Sequence, residues 1–228
     1  MSRKTRQPRA GRPETPRSRR HRVLVATNGK VTEAEYFAIL RSRFANVTFN
    51  VQRGLEGKSP LELVEAALRT LKEDEAESAL RHFDPYSVAF VVTDTDRFTH
   101  FSEARRLLSG SKACLILSNP CFDVWLIDHV RQCPNISLEA KPYERLAREL
   151  GVTAPPNGKR GTSRSKKIVE SRISPLGESL ETAMRNARGH CTPEKLRAME
   201  ANPDDTSGYA NWTDMARVIE WLCGTGLS

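Results

Sequence analysis

The 228-residue chain is most informative at first through what it lacks. No apolar run approaches the roughly 18 residues that a membrane-spanning helix needs. The basic N-terminus is not followed by the apolar segment of a secretory signal, so a cytoplasmic protein with no membrane partner is expected. Five cysteines (Cys114, Cys121, Cys133, Cys191 and Cys223) include no CxxC pair and are odd in number, which argues for reduced thiols rather than a disulfide framework. The five histidines show neither HxxxH nor HExxH spacing, which argues against a zinc site. No internal repeat is present.

Excess charge is also missing from most of the chain. The formal charge is +8, but residues 1–22 hold nine of the 36 basic residues and one of the 28 acidic ones, leaving 27 of each elsewhere. With Pro8, Pro13 and Pro16 and almost no apolar content, residues 1–21 are expected to be a disordered basic tail. Such a tail either holds nucleic acid loosely through counterion release or only aids solubility. Both readings stay open.

What is present begins with "RVLVAT" (22–27), a strand by its branched apolar residues. Helical spacing follows, with Ala34, Phe37, Ala38 and Phe44 on one face. Thr32 is placed to cap this helix and Glu35 to close a capping box. "NVTFNVQ" (46–52) alternates like a second strand. Ser59 and Pro60 open a long helix over Leu61–His82. "SVAFVVTD" (87–94) and "ACLILS" (113–118) are apolar throughout, as strands buried on both faces are, with a short helix between them. This order predicts an α/β fold with a mostly parallel four-stranded sheet over 22–135. Residues 136–228 read as a helical C-terminal portion, with helices over Pro142–Leu150, Lys166–Arg188, Pro193–Ala201 and Trp212–Leu222. A mobile basic loop over about 153–167 interrupts it.

Three stretches carry candidate chemistry. In "VVTDTD", Asp94 and Asp96 stand two apart where a buried strand runs out. The period of two sends both carboxylates to one side. Two such groups repel unless a cation or proton lies between them, and Mg²⁺ suits a site with few carboxylates. The plainer reading is a strand-to-turn transition, where Asp is common. In "VATNGKVTEAEYF" (25–37), Gly29 permits a tight turn beside Asn28 and Lys30. Glu33 either complements the helix dipole or faces the same sheet edge. In "LSNPCFDVWLIDHV" (117–130), Phe122, Trp125, Leu126 and His129 form a stripe at helical spacing. Core packing is the expectation for Trp125, and a satisfied core histidine for His129. Asp123 could reach the edge from one turn into that helix. In the loop, Lys159, Arg160, Arg164, Lys166 and Lys167 either grip a phosphate backbone or are merely solvated. "GKRGTS" lacks the upstream glycine of a P-loop.

In this order, "NGKVTEAEYF", "DTD", "SNPCFDVWLIDH" and "NPDDT" (202–206) resemble the RloB family, a branch of Toprim-fold nucleases tied to phage defence of the abortive-infection type. The resemblance spans about 22–222, and "SNPCF" is its most specific element. It implies a Toprim-like sheet and Mg²⁺- or Mn²⁺-dependent phosphodiester cleavage in DNA or RNA. Asp94 and Asp96 match the metal ligands and Glu33 the second acidic position, able to serve in metal binding or catalysis. Asp123 stands where the family has Glu. Asn28 stands where the catalytic glutamate should be, and an amide cannot carry a proton. Lys30 and Arg97, with the loop cations, would hold nucleic acid. An ABC-type ATPase partner is implied as well. The alternative is a catalytically impaired nucleic-acid- or partner-binding regulatory subunit. The oligomeric state, a homo-oligomer included, stays open.

Overall fold

The computed structural model describes residues 21–29, 31–154, 167–173 and 178–224. Residues 1–20 of the predicted tail and most of the predicted basic loop lie outside these residues, whereas His21, placed in the tail from the sequence, opens the first strand. Four strands, β1 (His21–Thr27), β2 (Val47–Val51), β3 (Val88–Asp94) and β4 (Ala113–Asn119), alternate with helices α1 (Thr32–Arg43), α2 (Pro60–Arg81) and α3 (Phe101–Leu108). They pair in parallel in the order β2-β1-β3-β4. The C-terminal part supplies α4 (Asp123–Asp128), α5 (Ala140–Glu149), α6 (Glu178–His190), α7 (Pro193–Ala201) and α8 (Met215–Leu222). The fold is thus α/β, with a mostly parallel sheet flanked by helices and a helical C-terminal part.

Strand periodicity sorts the core into two layers. Val23, Val25, Phe90 and Val92 face one side with residues of α1, α4, α5, α6 and α8. Leu24, Ala26, Ala89 and Val91 face the other with α2, α3 and α7. Both sides of β1 and β3 are therefore covered, which is why these strands are apolar throughout. β2 lies at the sheet edge, and only Val47 and Phe49 of it are buried.

Chain connectivity fixes where a ligand would sit. From β1 the chain steps outward to β2, crosses back to β3, then continues the other way to β4. The connection therefore reverses between the carboxyl ends of β1 and β3. In open parallel sheets that point leaves a crevice, because the flanking loops diverge.

The structure corrects several sequence expectations. A fifth strand, β5 (Trp212–Thr213), pairs antiparallel with β4 (Asn119↔Trp212) where helix was expected. Two residues are too short to show a period, so only the partner strand reveals them. Residues 167–173 form a bridge and a short 3-10 turn rather than the start of a long helix. Thr32 is not a cap: Val31 precedes the helix, with no side-chain capping bond. Instead, the Glu35 carboxylate accepts from the Ile168 amide at 2.9 Å. The buried face of α1 is Glu33, Tyr36, Phe37 and Leu40, whereas Ala38 is exposed. Ser59 caps α2 as predicted, in a full capping box with Glu62.

The "NPDDT" stretch acquires a structural role. Asp204 caps α3, accepting from the Phe101 amide at 2.7 Å and the Ser102 hydroxyl at 2.6 Å. A carboxylate there satisfies helix-start amides and complements the dipole. Asn119 is fully buried, donating to the Thr206 and Tyr209 carbonyls and accepting from the Thr95 hydroxyl. The end of β3 is thus fastened to the C-terminal part.

Candidate active site

A cleft of about 480 Å³ opens at this crevice. Its lining includes Asn28, Gly29, Glu33, Glu56, Asp94, Asp96, Arg97 and Glu144. Three strand ends or helix starts and one turn converge there, all placed by the sheet topology.

The first wall is the turn between β1 and α1. The Gly29 amide donates to Thr27 Oγ1 at 3.1 Å, closing the turn over the strand end. A β-carbon built at Gly29 would overlap the Glu33 carboxylate. Close approach of that carboxylate, rather than a positive φ, is what favours glycine here. Gly29 lets Glu33, only 7% exposed, fold its carboxylate back against the turn. Replacing Gly29 with Ala should displace the Glu33 carboxylate at a cost of about 1 kcal/mol or less, since the overlap is with the end of a flexible side chain rather than with backbone. Urea unfolding of Gly29→Ala beside a Gly29→Ala/Glu33→Ala double variant checks this. Truncating Glu33 should recover part of the loss, and equal destabilisation of both variants would rule the clash out.

Asn28 is held on two sides. Its Nδ2 donates to the Lys58 carbonyl at 3.0 Å and to Thr93 Oγ1 at 3.1 Å. Its backbone carbonyl accepts from the Gly57 amide at 3.1 Å. A carbonyl only accepts, so the Lys58 contact fixes which amide atom is nitrogen.

The second wall is the end of β3. Thr95 turns inward, 5% exposed, to donate to Asn119 Oδ1 at 2.8 Å. Its neighbours Asp94 and Asp96 line the cleft, so the alternation expected from the sequence continues past the strand end. The Asp96 carboxylate is 17% exposed and 3.6 Å from Nε of Arg97, itself 79% exposed. With the guanidinium so exposed and the contact long, the pair contributes little to stability. The Thr95 and Asp96 amides both donate to the Pro120 carbonyl at 3.1 Å. That contact gives "SNPCF" its place: it braces the acidic turn from beneath.

Asp123 is 2% exposed and is not among the lining residues; Cys121 Sγ lies 3.8 Å from its Oδ2. Trp125 is fully buried. His129 is 4% exposed, its ring 3.1 Å from the Tyr36 hydroxyl and 2.7 Å from Ser179 Oγ. Burial lowers its pKa to about 3, so it is a neutral core histidine. All five cysteines are free thiols. Lys30, Lys159, Arg160, Arg164 and Lys166 lie outside the described residues. Lys167 is exposed and lines a separate groove beside Glu35.

Two carboxylates of the cleft were not singled out from the sequence. Glu56 comes from the turn before α2 and Glu144 from α5. "GLEG" (54–57) is a turn by composition, but nothing local says which way its glutamate faces. Glu144 is remote in sequence and carries no local signal.

Five carboxylates thus face one arginine among the described lining residues. Such a cleft repels phosphate by itself and admits it readily only with a cation. Among the described residues no group of three or more His, Cys, Asp or Glu is clustered as a metal cage. The donors are all hard oxygens, and that arrangement fits Mg²⁺, which keeps several waters and takes one or two carboxylates. Asp94 and Asp96 are the residues that would hold it.

A model of the RloB-like protein family matches residues 23–222 of the chain. No curated protein and no solved structure matches it.

Proposed function

Because the chain belongs to the RloB-like protein family, we propose that it is a Mg²⁺-dependent nuclease-like effector cleaving phosphodiester bonds in DNA or RNA. The observation that carries this is the acidic cleft at the β1/β3 crevice, with Asp94 and Asp96 on one wall and Glu33 on the other. A bound Mg²⁺ or Mn²⁺ would neutralise charge building on the phosphoryl oxygens. The chain's own contribution is to hold the acidic turn rigid through Thr95, Asn119 and the Pro120 carbonyl. Arg97, exposed at the rim, would meet the neighbouring phosphate. A Toprim-like ancestry of the sheet, an ABC-type ATPase partner and a role in phage defence belong to the same proposal, on the sequence resemblance.

Asn28 favours a second reading, a catalytically impaired binding or regulatory subunit, since an amide moves no proton. Losing a general acid–base group typically lowers rates by about 10²- to 10⁴-fold, so the two readings differ in measurable activity. The test incubates purified protein with single- and double-stranded DNA, tRNA and mRNA, in Mg²⁺, Mn²⁺ or EDTA. Cleavage that EDTA abolishes supports the nuclease. Binding of any of these polymers without cleavage supports the second reading. Neither binding nor cleavage, with or without a partner ATPase, excludes both.

A further inference from the structure

We propose that Glu56 supplies the proton-accepting carboxylate that the β1–α1 turn lacks, and that Asn28 is the positioning residue that presents it. The proposal rests on the nuclease reading of the cleft.

Asn28 has the bonds of a keystone rather than of a vacancy. Gly57 and Lys58, the two residues after Glu56, are both tied to it: the Gly57 amide to its carbonyl at 3.1 Å, and the Lys58 carbonyl to its Nδ2 at 3.0 Å. The second Nδ2 proton goes to Thr93 Oγ1 at the end of β3, one residue before Asp94. One amide therefore joins three segments that line the cleft. A carboxylate at position 28 would set an acceptor against the Lys58 carbonyl and lose the Nδ2 bonds.

Glu56 itself sits on a closed turn. The Lys58 amide bonds the Leu55 carbonyl at 3.1 Å, and Gly57 has φ of +74°. That is a β-turn with Glu56 at its second position and the glycine where positive φ is required. Leu55, 8% exposed, anchors one end in the core, and the Ser59 capping box anchors the other. The turn therefore fixes the backbone from which the Glu56 side chain reaches the cleft. Glu56 is also exposed, with no ion-pair partner among the described residues. A proton it takes can leave to solvent. Glu33 is packed against Gly29, and Asp94 and Asp96 would be engaged by the cation, so none of these three is placed as well for that exchange.

The chemistry balances as a hydrolysis. A water oxygen bonds to phosphorus while one of its protons passes to the Glu56 carboxylate. The phosphorus–oxygen bond to the leaving nucleoside breaks with its electron pair, and that oxygen takes a proton from solvent. Glu56 then releases its proton to solvent, so one water is consumed per bond cleaved.

The experiment compares wild type, Glu56→Gln, Glu56→Asp, Asn28→Ala, Asn28→Glu and Asp94→Ala, with Mg²⁺ and the best nucleic-acid substrate. Glu56→Gln should lower kcat by about 10²- to 10⁴-fold with KM little changed, and should erase the acidic limb of the pH–rate profile. Glu56→Asp should keep that limb at a reduced rate. Without metal or substrate, Asn28→Ala should speed hydrogen exchange of the Gly57 amide at least tenfold, a readout independent of activity. If Glu56→Gln cleaves with wild-type rate and pH profile while Asp94→Ala does not, the Glu56 role falls and the nuclease reading stands. A tenfold gain in Asn28→Glu, or unchanged exchange at Gly57, overturns the positioning role. An inert wild type, or Asp94→Ala as active as wild type, removes the nuclease reading and this proposal with it.

Discussion

Asp94→Ala is expected to lower nucleic-acid cleavage by three orders of magnitude or more without unfolding the protein. On the nuclease reading, Asp94 is half-buried at the end of β3 and shares the cleft with Asp96 and Glu33. If these carboxylates hold the cation, removing one forfeits several kcal/mol of charge stabilisation in the transition state. In the metal-free protein the loss also removes repulsion between two neighbouring like charges. Thermal melts with and without Mg²⁺ separate the two effects. Wild type should gain stability with Mg²⁺, as any ligand of the native state provides, and Asp94→Ala should gain none. An equal Mg²⁺-induced shift in both proteins would show that Asp94 is not a ligand.

The second large effect lies in the core. Between about pH 6.5 and pH 3 the folding equilibrium should weaken by up to roughly tenfold per pH unit on account of His129 alone. The Ser179 hydroxyl donates to the Arg172 carbonyl, so it accepts from Nδ1–H of His129. Nε2 is then left to accept from the Tyr36 hydroxyl. The neutral ring satisfies every partner, and a second proton would displace one. Burial accordingly holds the folded pKa near 3, far below the unfolded value of about 6.5. Above pH 6.5 neither state takes the proton and the contribution is complete. As pH falls below 6.5 the unfolded chain binds a proton that the folded one refuses, so stability is lost until about pH 3. The total is on the order of a few kcal/mol, a large part of a domain's usual 5–15. Burial raises the pKa of Asp128 and Asp214, which opposes this trend. The measurement is therefore the stability difference between wild type and His129→Gln by urea unfolding across pH 4–8. A difference that shrinks as pH falls supports the assignment; one constant with pH contradicts it.

Much of this protein was legible in the sequence because the information was local. The apolar run of β3, the Ser59–Pro60 helix start and the period-two spacing of Asp94 and Asp96 depend only on neighbouring residues. Each is found in the structure. Phe122, Trp125, Leu126 and His129 are buried as expected, but so is every residue of α4, which the spacing did not foretell. Thr32 is not the cap because the helix starts one residue earlier, with the Glu35 amide on the Val31 carbonyl, and the Glu35 carboxylate takes the Ile168 amide, 133 residues away. Ala38 failed as a core position because helical spacing fits more than one face. Packing against β2, and of Tyr36 against Phe122, Trp125 and His129, chose the buried face.

By itself, the sequence determined the strand–helix alternation, the acidic pair and the neutral residue at the first turn, since each is written in spacing or residue type. Tertiary structure alone decided what those residues face. The tertiary arrangement brings Asn28 beside Thr93 and Lys58, places Glu56 and Glu144 in the cleft, and leaves Asp123 buried outside its lining. The physical reason is that a strand's period says on which side a group lies, whereas what lies opposite depends on which strands are neighbours. For Asn28 the difference is decisive. Read alone it is a missing acid; in the fold it is an amide with both Nδ2 protons bonded.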